Sequence, residues 1–228
     1  MLTVLRRRNF ALVWLGGLAL VRTQLPPRVI VIFLAISGLG EGIMGTLFVA
    51  FTRQVLHGDE LAYAWLISAQ AIGGLVGGLA LGRFGGRIPP ALLLGGGAVL
   101  GGTIDLLIFY APVYAPMVAP ALLLPMVLMV LVGGPFAAIS AGYMTLAQTA
   151  VGDAFRGRLL GLFFTVTALS GIVGMALAGA LGDSVGIIPI LTFDAVTYVI
   201  AGGMVLVTLE RFRSEPATQP RGLADRGA

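Results

Sequence analysis

Residues 61–82 read LAYAWLISAQAIGGLVGGLALG, an uncharged run that ends at Arg83 and Arg87. A helix rises 1.5 Å per residue and the hydrocarbon layer of a bilayer is about 30 Å thick, so about 20 apolar residues suffice to cross it. The run has that length, and the arginines after it need water or lipid phosphate. Five further stretches pass the same test, at residues 29–51, 91–110, 121–147, 159–182 and 187–209. Between them fall the breakers and charges: His57-Gly58-Asp59-Glu60, the Gly85-Gly86-Arg87-Ile88-Pro89-Pro90 turn, and residues 112–120, 152–158 and 183–186. Turn residues and charge placed where apolar runs stop predict an all-α polytopic membrane protein with six transmembrane helices.

Composition points the same way. Of 228 residues 58% are hydrophobic and 11% charged, and the mean hydropathy is +1.01, outside the range of an ordinary water-soluble domain. The 34 glycines suit helices in lipid, where small residues let backbones approach and van der Waals contact replaces the hydrophobic drive. Cysteine is absent, which excludes a disulfide framework, a thiol nucleophile and a Cys-based metal site. The net charge of +4 comes from arginines set between apolar runs, without the aromatic-interleaved basic patch of a nucleic-acid binder, so no nucleic-acid partner is expected. The lipid bilayer is the first partner.

Arginine placement predicts the threading, because positive residues near helix ends stay on the cytoplasmic side. With residues before Val29 inside, thirteen of the fourteen basic residues fall on the cytoplasmic face and only Arg53 on the other. That places both termini in the cytoplasm of a cell that holds the chain in its inner, or plasma, membrane. Residues 10–21 are apolar but at about 12 residues too short to cross, and a seventh span there would move Arg6, Arg7 and Arg8 outside. They are expected as an interfacial helix anchored by Trp14. The same start resembles a signal peptide, yet no small-residue cleavage site follows and Arg22 closes the run, so an uncleaved segment is expected. Three regions result: an interfacial segment 1–28, a six-helix domain 29–209, and a polar tail 210–228. The tail has too little apolar surface to offset the entropy of ordering.

The second and fifth spans superpose without a gap. Gly74, Gly77, Gly82 and Gly85 fall on Gly171, Gly174, Gly179 and Gly182, and Leu75-Val76 on Ile172-Val173. Two copies of a three-helix unit in inverted arrangement would produce this, and so would chance between two glycine-rich helices.

Three acids lie inside the spans. Glu41 is near the centre of the first, where an ionised carboxylate costs roughly 3 kcal/mol or more, so such an acid usually faces a cavity. A carboxyl that takes and gives up a proton there suits a carrier; the alternative is a structural acid bonded to a neighbouring helix. Asp105, about two-thirds along the third span with Thr103 nearby, is the second candidate for a proton or substrate pathway. Asp194, nearer the outer end of the last span, is expected to reach water or a helix N-terminus. Pro125 and Gly133-Gly134-Pro135 interrupt the fourth span and permit a kink beside a substrate path or a purely packing one.

No catalytic constellation accompanies them. His57 is the only histidine and sits in a charged loop, so a usual zinc site cannot be assembled. Gly73-Gly74 and Gly95-Gly96-Gly97 lack the Lys-Ser/Thr ending of a phosphate loop and lie inside apolar runs. No enzyme activity, no cofactor and no metal are expected.

Two connecting segments carry a resemblance. Gly78-Leu79-Ala80-Leu81-Gly82-Arg83-Phe84-Gly85-Gly86-Arg87 resembles the signature loop of the major facilitator superfamily, Gly-x-x-x-Asp-Arg-x-Gly-Arg-Arg/Lys, matching at Gly78, Arg83, Gly85 and Arg87. Gly82 stands where the family prefers Asp and Gly86 where it prefers Arg, as in the weaker copy of the C-terminal half. Asp153-Ala154-Phe155-Arg156-Gly157-Arg158 is similar to the Asp-x-x-Arg-Gly-Arg segment before the eleventh helix of drug- and siderophore-exporter branches.

The resemblance implies the last six helices of a twelve-helix transporter, half of the fold, as a three-plus-three inverted repeat. It also implies that Arg83, Arg87, Asp153, Arg156 and Arg158 form cytoplasmic contacts that change during rocking; topological anchoring is the plainer role. The opening Leu5 to Gly16 is similar to the family's first-helix start, so the chain is expected to join that start to the C-terminal half. The implied function is proton-coupled export of a small hydrophobic or amphipathic solute, with a homodimer or a separate N-terminal half completing the pathway. The alternative is a non-transporting remnant or a membrane partner of a full-length transporter.

Overall fold

A computed structural model of the chain describes residues 25–114, 122–150 and 153–214. The interfacial helix expected at 10–21 lies outside the described residues, as does all of the tail expected at 210–228 except residues 210–214, which instead close the last helix. Among the described residues, six α-helices follow in chain order: α1 (Leu25–Ala50), α2 (Glu60–Phe84), α3 (Pro90–Tyr114), α4 (Leu123–Ala150), α5 (Asp153–Val185) and α6 (Ile187–Ser214). Each carries a stretch long and apolar enough to cross a bilayer. A helix satisfies every interior backbone group within itself, which lipid demands because it offers no hydrogen bonds. The six predicted spans are therefore present, as an all-α membrane fold.

Helix ends differ from the sequence-based bounds for local reasons. α1 starts four residues early, with Pro26 and Pro27 in its first turn, where an absent N–H removes no hydrogen bond. Residues 112–120 do not all break the chain: α3 runs through Pro112 to Tyr114. Proline there lacks its own backbone hydrogen bond to the preceding turn, and the Tyr114 hydroxyl donates back to the carbonyl of Leu107. The expected break at 152–158 is shorter too, since α5 begins at Asp153 and carries Arg156 and Arg158 in its opening turns. Pro125 and Pro135 both lie within a continuous α4.

The α1–α2 connection is tightly tied. A π-helical turn, Phe51–Val55, ends α1, and the buried Thr52 hydroxyl donates back to the Phe48 carbonyl at 2.9 Å. His57 takes a left-handed backbone (φ 55°), and Asp59 caps α2 by accepting from the Ala62 amide at 2.8 Å.

Glycines set the crossings. A Cβ at Gly73 would collide with the Val130 carbonyl, and one at Gly77 would lie 2.5 Å from Gly134 Cα, so α2 and α4 touch backbone to backbone. α1 and α5 cross the same way: a Cβ at Gly38 would sit 2.8 Å from the Thr167 carbonyl, and one at Gly174 would strike that of Leu39. Gly133 and Gly134 therefore serve the α2 contact. The aligned pair Gly74 and Gly77 packs on Gly133 and Gly134 of α4, while Gly171 and Gly174 pack on Gly38 and Gly42 of α1. The third pair, Gly82 and Gly179, meets open space in both copies. Three of the four aligned pairs thus occupy matching settings in α1–α3 and α4–α6, as an inverted repeat gives, while a Cβ at Gly85 would meet Leu81 of its own helix and one at Gly182 would meet Leu47 of α1.

Buried apolar side chains form two clusters. One, with Leu47, Phe51, Phe109, Met129 and Leu191, fills the end of the bundle holding the α1–α2 turn. The other, with Ile30, Phe33, Leu94, Leu159 and Val205, fills the end holding the α2–α3 turn. In sequence, Glu41 and Asp105 fall between the residues of the two clusters on α1 and α3, while Asp194 falls between Leu191 and Ala195 of the first cluster on α6. α2 and α5 flank the bundle: 17% and 22% of their apolar stretches are buried, against 56% for α3.

Candidate functional site

Between the two apolar clusters lies a cavity of about 500 Å³ lined by residues from all six helices. Glu41 from α1, Asp105 from α3 and Asp194 from α6 all line it. Counted from Leu25, Pro90 and Leu209, at one end of the bundle, each acid lies about 15 residues in, or about 23 Å at 1.5 Å per residue. Three helices thus deliver one carboxyl each to a common depth.

Their settings differ. Asp105 is 4% exposed and Asp194 2%, and the Oδ1 of each is buried with no hydrogen-bond partner among the described residues. Glu41 is exposed on the cavity. Among the described residues, no arginine or histidine lines the cavity. An acid in a membrane interior usually pairs with a cation or accepts donors. Here the lining is aromatic and hydroxylic instead, with Phe136 edge-on to Tyr198 at 5.7 Å between ring centres and the Tyr198 hydroxyl donating to the Ser37 carbonyl at 3.4 Å.

Gly40 makes room for this arrangement. A Cβ at that position would collide with Asp194 Oδ1 and lie 3.1 Å from Tyr198 Cε2, so the Asp194 carboxyl occupies the space that any other residue at position 40 would fill. Among the described residues, no three His, Cys, Asp or Glu side chains come together in a group able to hold a metal ion.

Of the residues singled out from sequence, Glu41 and Asp105 come together in this cavity, and Asp194 joins them. Asp194 does not reach water at the helix end: it stands two turns into α6 and is buried. Its depth was readable by counting from the far end of its span; Gly40 had no such signal.

The motif residues lie elsewhere. Arg83 and Arg87 are exposed at the α2–α3 turn, Arg83 stacking over the Phe84 ring at 5.9 Å. Gly78 and Gly85 line a separate cleft between that turn and α4. Arg156 donates from Nη2 to the Gln148 carbonyl at 2.9 Å, tying the start of α5 to the end of α4.

Six spanning helices around a mid-depth cavity define a multi-pass membrane protein. The chain belongs to the Major Facilitator Superfamily, whose sequence model matches residues 30–226. It is similar to the multidrug efflux pump Tap of Mycolicibacterium fortuitum, 29% identical over 187 residues, which are 80% of this chain and 42% of that protein. It is also similar to the multidrug efflux pump Tap of Mycobacterium tuberculosis, 28% identical over 158 residues, 69% of this chain and 35% of that protein. The chain therefore spans less than half the length of these relatives. No solved structure matches it.

Proposed function

We propose that this chain is the six-helix cavity-bearing part of a proton-coupled exporter of small hydrophobic or amphipathic solutes. The observation that supports it best is the set of three carboxyls at one depth in a largely apolar cavity that, among the described residues, no cationic side chain lines. Charge there is unfavourable, so carboxyls that alternate between protonated and ionised forms couple proton movement to a change of shape. The exporter assignment draws on the efflux relatives, and the aromatic lining fits an apolar solute. Export proceeds by alternating access, with Glu41 and Asp105 on the proton and substrate path and Asp194 beside them. The bundle sits in the inner membrane, with Arg28, Arg83, Arg87, Arg156 and Arg158 on the cytoplasmic side and Arg53 outside.

A second six-helix body completes the pathway. Supporting this are the exposed apolar faces of α2 and α5, such as Leu75, Val76 and Leu79 or Ile172 and Val173, and the greater length of the relatives. A second copy of the chain or a separate N-terminal half would fill that place. The same faces favour the second reading, a membrane partner that docks on a full-length transporter without transporting by itself.

Proteoliposome proton flux and efflux of an amphipathic dye, compared between the wild type and Glu41→Gln, test the assignment. Glu41→Gln is expected to reduce coupled flux at least tenfold. Equal flux in the two proteins removes Glu41 from the mechanism, and no flux in either under a proton gradient favours the partner reading.

A further inference from the structure

A cleft of about 490 Å³ opens at the end of the bundle that carries the α2–α3 turn, and it shares no lining residue with the mid-depth cavity. Its shape follows from which helices touch. α2 and α3 each pack on α4 but make little contact with each other, although they are consecutive in the chain. α2 is held to α4 at Gly77, where a Cβ would lie 2.5 Å from Gly134 Cα. α3 is held at its start, where a Cβ on Gly142 would lie 2.8 Å from the Pro90 carbonyl oxygen. Between Gly134 and Gly142 the α4 axis runs about 12 Å at 1.5 Å per residue. Along it the α2 wall is Gly78 and Gly82, at which a Cβ would meet nothing within 4 Å, and Ala137 and Ala141 of α4 form the floor. Thr145 is the one polar side chain among the described residues of the lining. Leu79 of α2 and Leu92 of α3, each next in sequence to a lining residue, are exposed.

The mouth of this apolar groove is cationic. Arg87 stands between Gly86 and Ile88, which both line the cleft, and Arg83 directly follows Gly82. Both arginines are exposed, and neither forms an ion pair among the described residues. We propose that the cleft binds one anionic phospholipid, with an acyl chain along Gly78, Gly82 and Ala141 and the phosphate held by Arg83 and Arg87. The dimensions suit it: one leaflet contributes about 15 Å of hydrocarbon, and the groove runs most of that depth before it reaches the guanidinium groups. An unfilled groove forfeits the dispersion contacts of its walls, and an acyl chain restores them. A planar guanidinium pairs with two phosphate oxygens at once, and basic pockets between spanning helices select anionic headgroups. Gly82 decides access, because a side chain grown there enters the space that the chain would fill.

Occupancy of the cleft requires neither a solute nor transport, so it is read on the purified full chain. Native mass spectrometry from detergent micelles, titrated with dioleoyl phosphatidylglycerol or dioleoyl phosphatidylcholine, counts the lipids retained. The wild type is expected to hold one phosphatidylglycerol about tenfold or more tighter than phosphatidylcholine, since each basic residue near a membrane surface strengthens attraction to anionic lipid about fivefold. Replacing both arginines, Arg83→Gln with Arg87→Gln, should bring the two lipids to within about twofold of each other. Gly82→Leu should weaken phosphatidylglycerol binding about tenfold by filling the groove. Gly179→Leu, on α5 at the position aligned with Gly82 and likewise facing open space, should leave it unchanged.

Equal retention of the two lipids by the wild type overturns recognition of the headgroup, and unchanged binding in Gly82→Leu overturns the cleft as its place. If Gly82→Leu fails to fold, Gly78→Leu carries the same requirement. Glycerol phosphate that competes as well as the whole lipid would mean that phosphate alone is bound, which removes the acyl-chain groove. A lipid-free dimer that Gly82→Leu converts to monomer would seat a second copy in the cleft and overturns the lipid site as well.

Discussion

Arg156 Nη2 lies 2.9 Å from the backbone carbonyl of Gln148, a hydrogen bond that joins the C-terminal turn of α4 to the opening of α5. The last carbonyls of a helix lack intrahelical donors and carry the negative end of its dipole, so a guanidinium there satisfies one acceptor and neutralises part of the field. An exposed charged hydrogen bond of this kind contributes about 1 kcal/mol. Arg156→Ala is expected to lower stability by about that amount in detergent, measured by thermal unfolding. Arg156→Lys should recover part of it, because a lysine supplies charge without the planar fork. An unchanged unfolding curve for the alanine variant would reduce the residue to a topological anchor.

Glycine positions along α2 divide into two kinds that a sequence alone treats alike. A methyl at Gly73 meets the Val130 backbone, which cannot move without shifting α4, whereas a methyl at Gly82 meets nothing within 4 Å. Gly73→Ala should therefore destabilise by about 1–3 kcal/mol, the usual range for overpacking. Gly82→Ala should stay within about 0.5 kcal/mol, as for an open surface site. Size-exclusion profiles and thermal melts of the two variants in one detergent would separate them, and equal behaviour would contradict the α2–α4 crossing.

The six spans were legible because lipid imposes one rule on every residue between Ile187 and Leu209 or between Leu61 and Gly82, and composition alone reports it. Helix ends were less so. Pro112 reads as a breaker, yet α3 runs through it to Tyr114. Glu41 and Asp105 stood out as charges inside apolar runs. Asp194 carried the same signal but lay nearer one end of its span, and its burial is decided by α1 across the interface, at Gly40. A glycine beside Glu41 looks no different from the other small residues of the helix. Contacts between helices distant in sequence are what the one-dimensional pattern lacks.

Arg53 and Glu60 form an ion pair at 2.5 Å, but the two side chains are 55% and 80% exposed. Screening and side-chain entropy leave such pairs worth about 0–1 kcal/mol. One residue away, Asp59 caps α2 through the Ala62 amide, and loss of an N-cap costs about 1 kcal/mol. Asp59→Ala is accordingly expected to lower stability more than Glu60→Gln, and added salt should narrow the effect of the second while sparing most of the first. Urea-dependent unfolding in mixed micelles at low and high salt would show the order, and a larger effect of Glu60→Gln would mean that pairing outweighs capping at this turn.

The absence of cysteine makes the threading directly testable, since any introduced thiol is the only one present. His57 lies in the α1–α2 turn and Gly86 in the α2–α3 turn, at opposite ends of α2. The membrane-retention rule for arginine puts Gly86, between Arg83 and Arg87, in the cytoplasm and His57 outside. His57→Cys should react with a membrane-impermeant maleimide on intact cells. Gly86→Cys, which has open space for a side chain, should react only after permeabilisation. Both turns contain polar residues and are short, so differences in labelling report the side of the membrane and not burial of the thiol. Labelling of Gly86→Cys from outside intact cells would invert the bundle and place the arginine-rich end in the exterior.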